Sequence, residues 1–521
     1  MTVGFLLVII FAVCTACNGQ QPTWVEEEPV YTPVEKDQLL DGLSLNGTTI
    51  PVTDDLCFYL TVGDDAKKTL SDGKWTTNCG STVTLDEALL SESTDLSAAI
   101  AAGTEFTVSA SGGGNELQGK LILTTLPVVQ ISPEGDNTAA DIVHGDEGDV
   151  PCTVTLREAE NYTGSAPVLQ QQNADIHLRG STALHYPKKS YKFSLQDEKG
   201  NSYKTSLLGM RRDDDWILLA GYTDASKVRE KLCIGLWEDM IADTNYKNYA
   251  YHLSYVELIM DGQYVGLYYL QEPVDAKLVG ASDGEVLYKC VNWDMPDRSK
   301  GSLGGFELKY PKEKDTDPQM LPNYYSVIYD YAEFLNLHGE AFWNAAQTML
   351  DIDEIIDYYI FINLVYGFDN RMNNCYYLAQ TGESGKQFQF IPWDLDCTLG
   401  YSNWLFAYED GTTEQHLLNR MPFEEMIEIT VMSRLMEAKP TWMAEKLQAR
   451  WTSLRTSYLN EAYIREKVHP MFAVLQASGA YIRDVPMWDE YFKLESDEEE
   501  YLIRFLTDQI AYLDQAFGYS R

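Results

Sequence analysis

Positive charge is scarce in this sequence: 39 Lys and Arg stand against 79 Asp and Glu, a formal net charge of −40, with only 7 His. That balance excludes nucleic acid as a general partner, because such binding rests on cations that displace counterions from phosphates. Cysteine is also sparse. Nine are present, and the seven beyond Cys17 form an odd set without zinc-ligand spacing, so neither a disulfide scaffold nor a zinc module is expected. One bridge, Cys57 to Cys79, is the pairing an exported location would permit. Long apolar runs are missing outside the first residues, where Gly4 to Val13 is too short to span a bilayer and fits the core of a signal peptide.

What is present indicates a folded chain. Hydrophobic residues make up 45% and aromatics 12%, enough to bury a core, and 521 residues suffice for two or three domains. Thr15-Ala16 before Cys17 resembles a bacterial lipobox, which predicts a lipoprotein signal segment over residues 1–17, cleaved ahead of Cys17, and a lipid on the Cys17 thiol. The expected location is the bacterial cell envelope, lipid-anchored at the outer membrane or cell surface. Residues 18–36, with Pro22, Pro29, Pro33 and three consecutive Glu, read as a flexible tether.

From 37 to about 126, short alternating runs separated by Gly, Asn and Asp predict a small β-sandwich that spaces the rest from the membrane or binds a surface partner. Gly114 to Lys120 matches the start of a phosphate-binding loop, but Leu121 replaces the required Ser or Thr and a strand follows where a helix must begin, so it reads as a hairpin turn. Residues 127–272 then read as a twisted sheet with one helix. In Lys188 to Leu195, Lys188, Ser190, Lys192 and Ser194 share one face, a cationic cluster that is either an anion site or a counterweight to surplus carboxylates. Asp224 is placed to cap a helix running to about Ile241, and Asp261-Gly262 marks a hairpin. Residues 274–322 look irregular and read as a linker, and helices dominate beyond them, including the Glu500 to Gly518 segment with one apolar face.

The most informative stretch is Asp351 to Gly400. It reads as an amphipathic helix opened by an Asp351/Glu354 capping box, then a polar loop, then a hairpin ending in Trp393-Asp394-Leu395-Asp396. In the loop, Asp369 precedes Asn374 by five residues. That is the spacing of a protein-kinase catalytic loop, where the Asp accepts a hydroxyl proton and the Asn helps hold Mg²⁺. Asp394 and Asp396 would face one way if the strand continued, and a divalent cation would relieve their repulsion. A glycosidase pair is the competing reading, since Asp369 and Asp394 could meet its spacing of about 5 to 9.5 Å.

Several segments together resemble the spore coat protein H (CotH) kinase family. They are Arg179-Gly180 with Pro187 to Lys192, Trp216 with Asp224 and Arg229, Val256 to Glu272, Asp369 to Asn374, Pro392 to Asp396 with Gly400, and Leu513 to Gly518. The resemblance covers about 126 to 518. It implies an α+β, atypical protein-kinase-like fold of two lobes, β-rich over about 127–272 and helical over about 323–518. It also implies ATP and Mg²⁺ as cofactors and exported proteins with Ser or Thr as substrates. On that resemblance Asp369 is the catalytic acid, Asn374 and Asp394 are metal ligands, and Asp396 assists them. Lys192 pairs with phosphate, with Lys189 as its rival, Arg179 joins the nucleotide site, and Glu272 lies at the adenine hinge. Ser181 to Leu184 is bulkier than a glycine-rich phosphate lid. A scaffold or adhesion protein that keeps the fold without catalysing is the alternative.

Overall fold

The computed structural model describes residues 35–246, 250–382, 385–407, 413–419, 426–488 and 493–520. The expected signal peptide, Cys17 and nearly all of the expected tether lie outside them. Among the described residues no helix is long and apolar enough to cross a membrane.

The front unit is not purely β. Its main sheet orders Cys57–Thr61, Asn115–Thr124, Glu105–Gly112 and Thr82–Leu85, with the first pair parallel. A three-stranded sheet and the short helices Ala66–Asp72, Glu87–Leu90 and Leu96–Ala101 contribute to the same core, through Leu45, Leu70, Leu89 and Ile100. The helices escape a reading by alternation because they are only one or two turns long; Asp86 and Asp95 start two of them by accepting from Ala88 N and Ala98 N. Gly113 and Gly114 turn the tight hairpin at positive φ, as expected of a turn rather than a phosphate loop. Cys57 and Cys79 are not bridged: the first thiol donates to Asp55 and the second to the Gln38 carbonyl. The unit is docked on its neighbour, since Tyr59 stacks on Tyr264 at 4.8 Å and Asp54 N donates to Gly262 O.

The expected twisted sheet closes on itself. Seven strands form a barrel in the order Gln172–Leu178, Tyr191–Leu195, Asp215–Leu219, Gln263–Gln271, Leu253–Met260, Val128–Pro133 and Val150–Arg157. Closure depends on Val128–Pro133, which pairs parallel with Leu253–Met260 and antiparallel with Val150–Arg157, a long-range pairing that alternation cannot announce. Asp261 and Gly262 both take positive φ, as the tight hairpin between strands requires. Helix Arg229–Ile241 lies on the barrel, and the carboxylate of Asp224 accepts from Val228 N and Arg229 N at its start.

The supposed linker holds two strands. Val286–Cys290 and Phe306–Tyr310 join Cys375–Gly382 and Gly385–Pro392 in a four-stranded sheet. Each is five residues long between Gly- and Asp-rich loops, too short for its alternation to stand out. Helix Ile352–Val365 is buried on every side from Glu354 onward rather than along one stripe. Only half of its capping box forms: Asp351 accepts from Glu354 N at 3.3 Å, whereas the Glu354 carboxylate turns to Phe390 N at 3.0 Å and ties helix to hairpin. Helices from Thr430–Ala438 to Glu498–Ala516 complete this half. The α+β class is thus as the sequence predicted.

Candidate active site

A cavity of about 1570 Å³ lies where barrel and four-stranded sheet meet, and the residues that build it come from both. Helix Ile352–Val365 ends at Tyr366 in the left-handed region, and the chain turns into the short helix Asp369–Arg371. Asn370 fixes the turn. It is fully buried, and its Nδ2 donates to Asn374 O at 3.0 Å and Trp393 O at 2.7 Å, while its own carbonyl accepts from Tyr358 Oη at 2.6 Å. Loop and hairpin end are therefore one rigid piece.

On that piece Asp369 accepts from Asn374 Nδ2 at 2.7 Å and from Asn373 Nδ2 at 3.3 Å. Asn374 and Asp394 both adopt positive φ, a conformation that Asn and Asp tolerate better than other side chains. The strand before Asp394 ends at Pro392, so alternation does not align Asp394 with Asp396; the left-handed turn at Asp394 brings both to the cavity. Asp369, Asn374, Asp394 and Asp396 all line it.

Negative charge is concentrated here. Burial and the neighbouring Asp394 carboxylate push Asp396 up to about 7, and Thr223 Oγ1 donates to it. Burial also raises Asp369, with Asp394 adding to the effect and Asn373, the Arg371 charge and Asn374 opposing it. Glu230, on the helix Arg229–Ile241, is a member the sequence did not reveal. It lines the cavity, accepts from Leu395 N and Tyr251 Oη, and is pushed up to about 8 by burial and by Asp394. Its only signal was a charge on the apolar side of a capped helix.

The donor set fits a hard divalent cation. All the candidate ligands are oxygens; Asn374 spends its Nδ2 on Asp369 and keeps its Oδ1, and Asn373 Oδ1 is buried without a partner. Among the described residues these carboxylates do not close into a tight group of three; Asp213, Asp215 and Asp275 do, but Arg211 and Lys277 pair with them. An open set of one or two carboxylates suits Mg²⁺, which keeps places for waters and substrate phosphates.

Facing the acids are cations. Lys192 lines the cavity in ion-pair contact with Asp215 at 3.3 Å. Arg179 lies over the Trp393 ring at 5.5 Å, and Lys289 over the same ring at 5.9 Å. Neither has an ion pair among the described residues. Lys289, on the strand Val286–Cys290 inside the supposed linker, is held down to about 8 by burial and by Arg179. Sequence reading missed it for the same reason that it missed the strand.

Two expected site residues are elsewhere. Lys189 does not line the cavity; its Nζ donates to Leu184 O at 2.7 Å and so anchors the segment Gly180 to His185, which does. Its neighbour Lys188 is fully buried between Asp484 and Leu267 O, both at 2.6 Å, and burial lowers it to about 7. Glu272 is also outside. Its carboxylate is 0% exposed and accepts from Arg211 N at 2.7 Å and from His252 N at 3.0 Å, with the His252 ring at 3.1 Å. It organises the end of a barrel strand and has nothing left for a ligand.

The family model described as CotH kinase protein matches residues 176–513, well over half the chain and the whole of this cavity's acidic wall. The chain belongs to the CotH kinase family. Among curated proteins none matches it. Family membership gives the site a kinase-like character in general; acceptor, metal and location are a separate matter.

Proposed function

We propose that this CotH-family chain has a two-lobed, protein-kinase-like fold and is an ATP- and Mg²⁺-dependent kinase that phosphorylates Ser or Thr of exported or surface proteins. In this reading it is held at the bacterial cell envelope by a lipid on Cys17. The observation that carries the reading is the meeting of Asp369, Asn374, Asp394 and Asp396 with Arg179, Lys192 and Lys289 around one cavity. Acids alone would suit a sugar hydrolase. Cations beside them, of which Arg179 and Lys289 have no ion pair among the described residues, suit a ligand that brings its own negative charge, as a triphosphate does.

Asp394 and Asp396, with the Asn374 Oδ1, would hold the ion, which when bound neutralises charge on the transferred phosphoryl group. Arg179, Lys192 and Lys289 orient the phosphates from the opposite wall, and Gly180 to His185 cover them. Asp369, oriented by one amide on each carboxylate oxygen, accepts the proton of the acceptor hydroxyl at a remaining lone pair. Its raised affinity for a proton, caused by burial, suits that task at neutral pH. The test is transfer of labelled phosphate from ATP to Ser-containing peptides with and without Mg²⁺. Transfer lost in Asp394→Ala supports the reading; absence of transfer together with absence of Mg²⁺-dependent ATP binding leaves the surface scaffold as the function.

A further inference from the structure

Immediately beside Asp369 lies a feature that nucleotide chemistry does not use. Phe368 is 44% exposed and Trp293 39% exposed, both large aromatic surfaces at the cavity rim. Between them sits Arg371, its guanidinium carbon 4.6 Å from the Trp293 ring centre and 4.4 Å from that of Phe368. The two rings hold the guanidinium plane, which lowers the entropy a partner must overcome to bind it. Among the described residues Arg371 makes no hydrogen bond and no ion pair, its charge reaching Asp369 only through space, and its Nε is buried without an acceptor. In a chain of net charge −40 an arginine without an ion-pair partner is conspicuous. A second cavity of about 450 Å³ continues from Trp293 past Arg371 to the helix Thr430–Ala438. There Arg434 is neutralised by Glu437 at 3.1 Å, whereas Glu428 stays beyond ion-pair range of Arg371. Among the described residues Arg371 is thus the cation on this path without an ion pair.

We infer that Arg371, framed by Trp293 and Phe368, is the acceptor-docking site, and that it selects peptides carrying an Asp or Glu close to the Ser or Thr that is modified. This rests on the kinase reading for the role of Asp369, but the docking itself does not. The spacing follows from geometry. Arg371 is two residues along a 3₁₀ turn from Asp369, about 4 Å of rise, and an extended peptide advances about 3.3 Å per residue. The recognised carboxylate therefore lies one or two residues from the acceptor hydroxyl, paired with the outward edge of the guanidinium.

The test is binding of fluorescent peptides to the full protein, followed by anisotropy. The peptides carry Ala in place of the acceptor Ser and Glu, Gln or Lys at the two positions on either side. The expected result is at least tenfold tighter binding of the Glu peptide than of the Lys peptide, lost in Arg371→Ala and reversed in Arg371→Glu. Arg371→Lys, which keeps charge but not the planar fork, recovers only part of the preference. Equal binding of Glu and Lys peptides by the unaltered protein overturns the inference, as does a preference that Arg371→Glu leaves intact. Arg371-dependent binding without phosphate transfer to the matching Ser peptide would uphold the docking site while defeating the kinase reading.

Discussion

Asn370 shows how much one side chain fixes in this site. Its amide bridges the carbonyls of Asn374 and Trp393, so the Asp369 loop and the Asp394 turn cannot shift independently. Replacing it with Ala leaves those carbonyls without their donor, at a cost of about 1 to 3 kcal/mol. Urea unfolding of Asn370→Ala measures the loss, and transfer activity should fall with it. His252 makes a separate prediction. Its ring, bonded to Glu238 and Glu272, holds its proton up to about 10, against about 6.5 in an unfolded chain. A raised histidine contributes fully below the unfolded value and loses that contribution as pH rises through the folded one. The melting-temperature gap between the unaltered protein and His252→Gln should therefore be wide at pH 6 and narrow at pH 10.5. A gap that does not change with pH would deny the charged pair.

Among the elements, helix Arg229–Ile241 and helix Ile352–Val365 decide whether the site exists, because the first carries Glu230 and the second presents Asp369. They meet through Trp237, which is fully buried with its ring 5.1 Å from Phe361 and 6.1 Å from Tyr358. Trp237→Ala is expected to cost about 3 to 5 kcal/mol, seen as a lower urea midpoint at constant slope. A loss below about 1 kcal/mol would mean that the contact is dispensable. The elements also show what the sequence made legible. Asp369, Asn374, Asp394 and Asp396 were readable because motif spacing and chain order survive in one dimension. Lys192 was readable because period two put it on the polar face of a strand. Lys289 and Glu230 were hidden: one lies on a five-residue strand between loops, and the other is a charge whose partners are 21 and 165 residues away. Lys189 and Glu272 were misplaced for the converse reason, since local pattern shows which way a side chain points but not whether a carbonyl or an amide already occupies it.

At the scale of the whole molecule, the barrel and its helix supply Arg179, Lys192 and Glu230, the helix-backed sheet supplies Lys289 together with Asp369, Asp394 and Asp396, and the cavity between them gathers charges of both signs. The front unit is docked on the barrel through Tyr59 and Asp54, so it is part of the folded body and not a free spacer. A cavity lined by clustered carboxylates and by cations, two of which have no ion pair among the described residues, is most simply completed by an anionic ligand bound together with a divalent cation. The central claim is therefore best tested by following labelled phosphate from ATP to a Ser peptide in the unaltered protein, Asp369→Ala and Asp394→Ala, each with Mg²⁺ and with chelator. The account predicts Mg²⁺-dependent transfer, reduced about 10²- to 10⁴-fold in Asp369→Ala and abolished in Asp394→Ala. Transfer that persists in both variants, or in chelator, would contradict it.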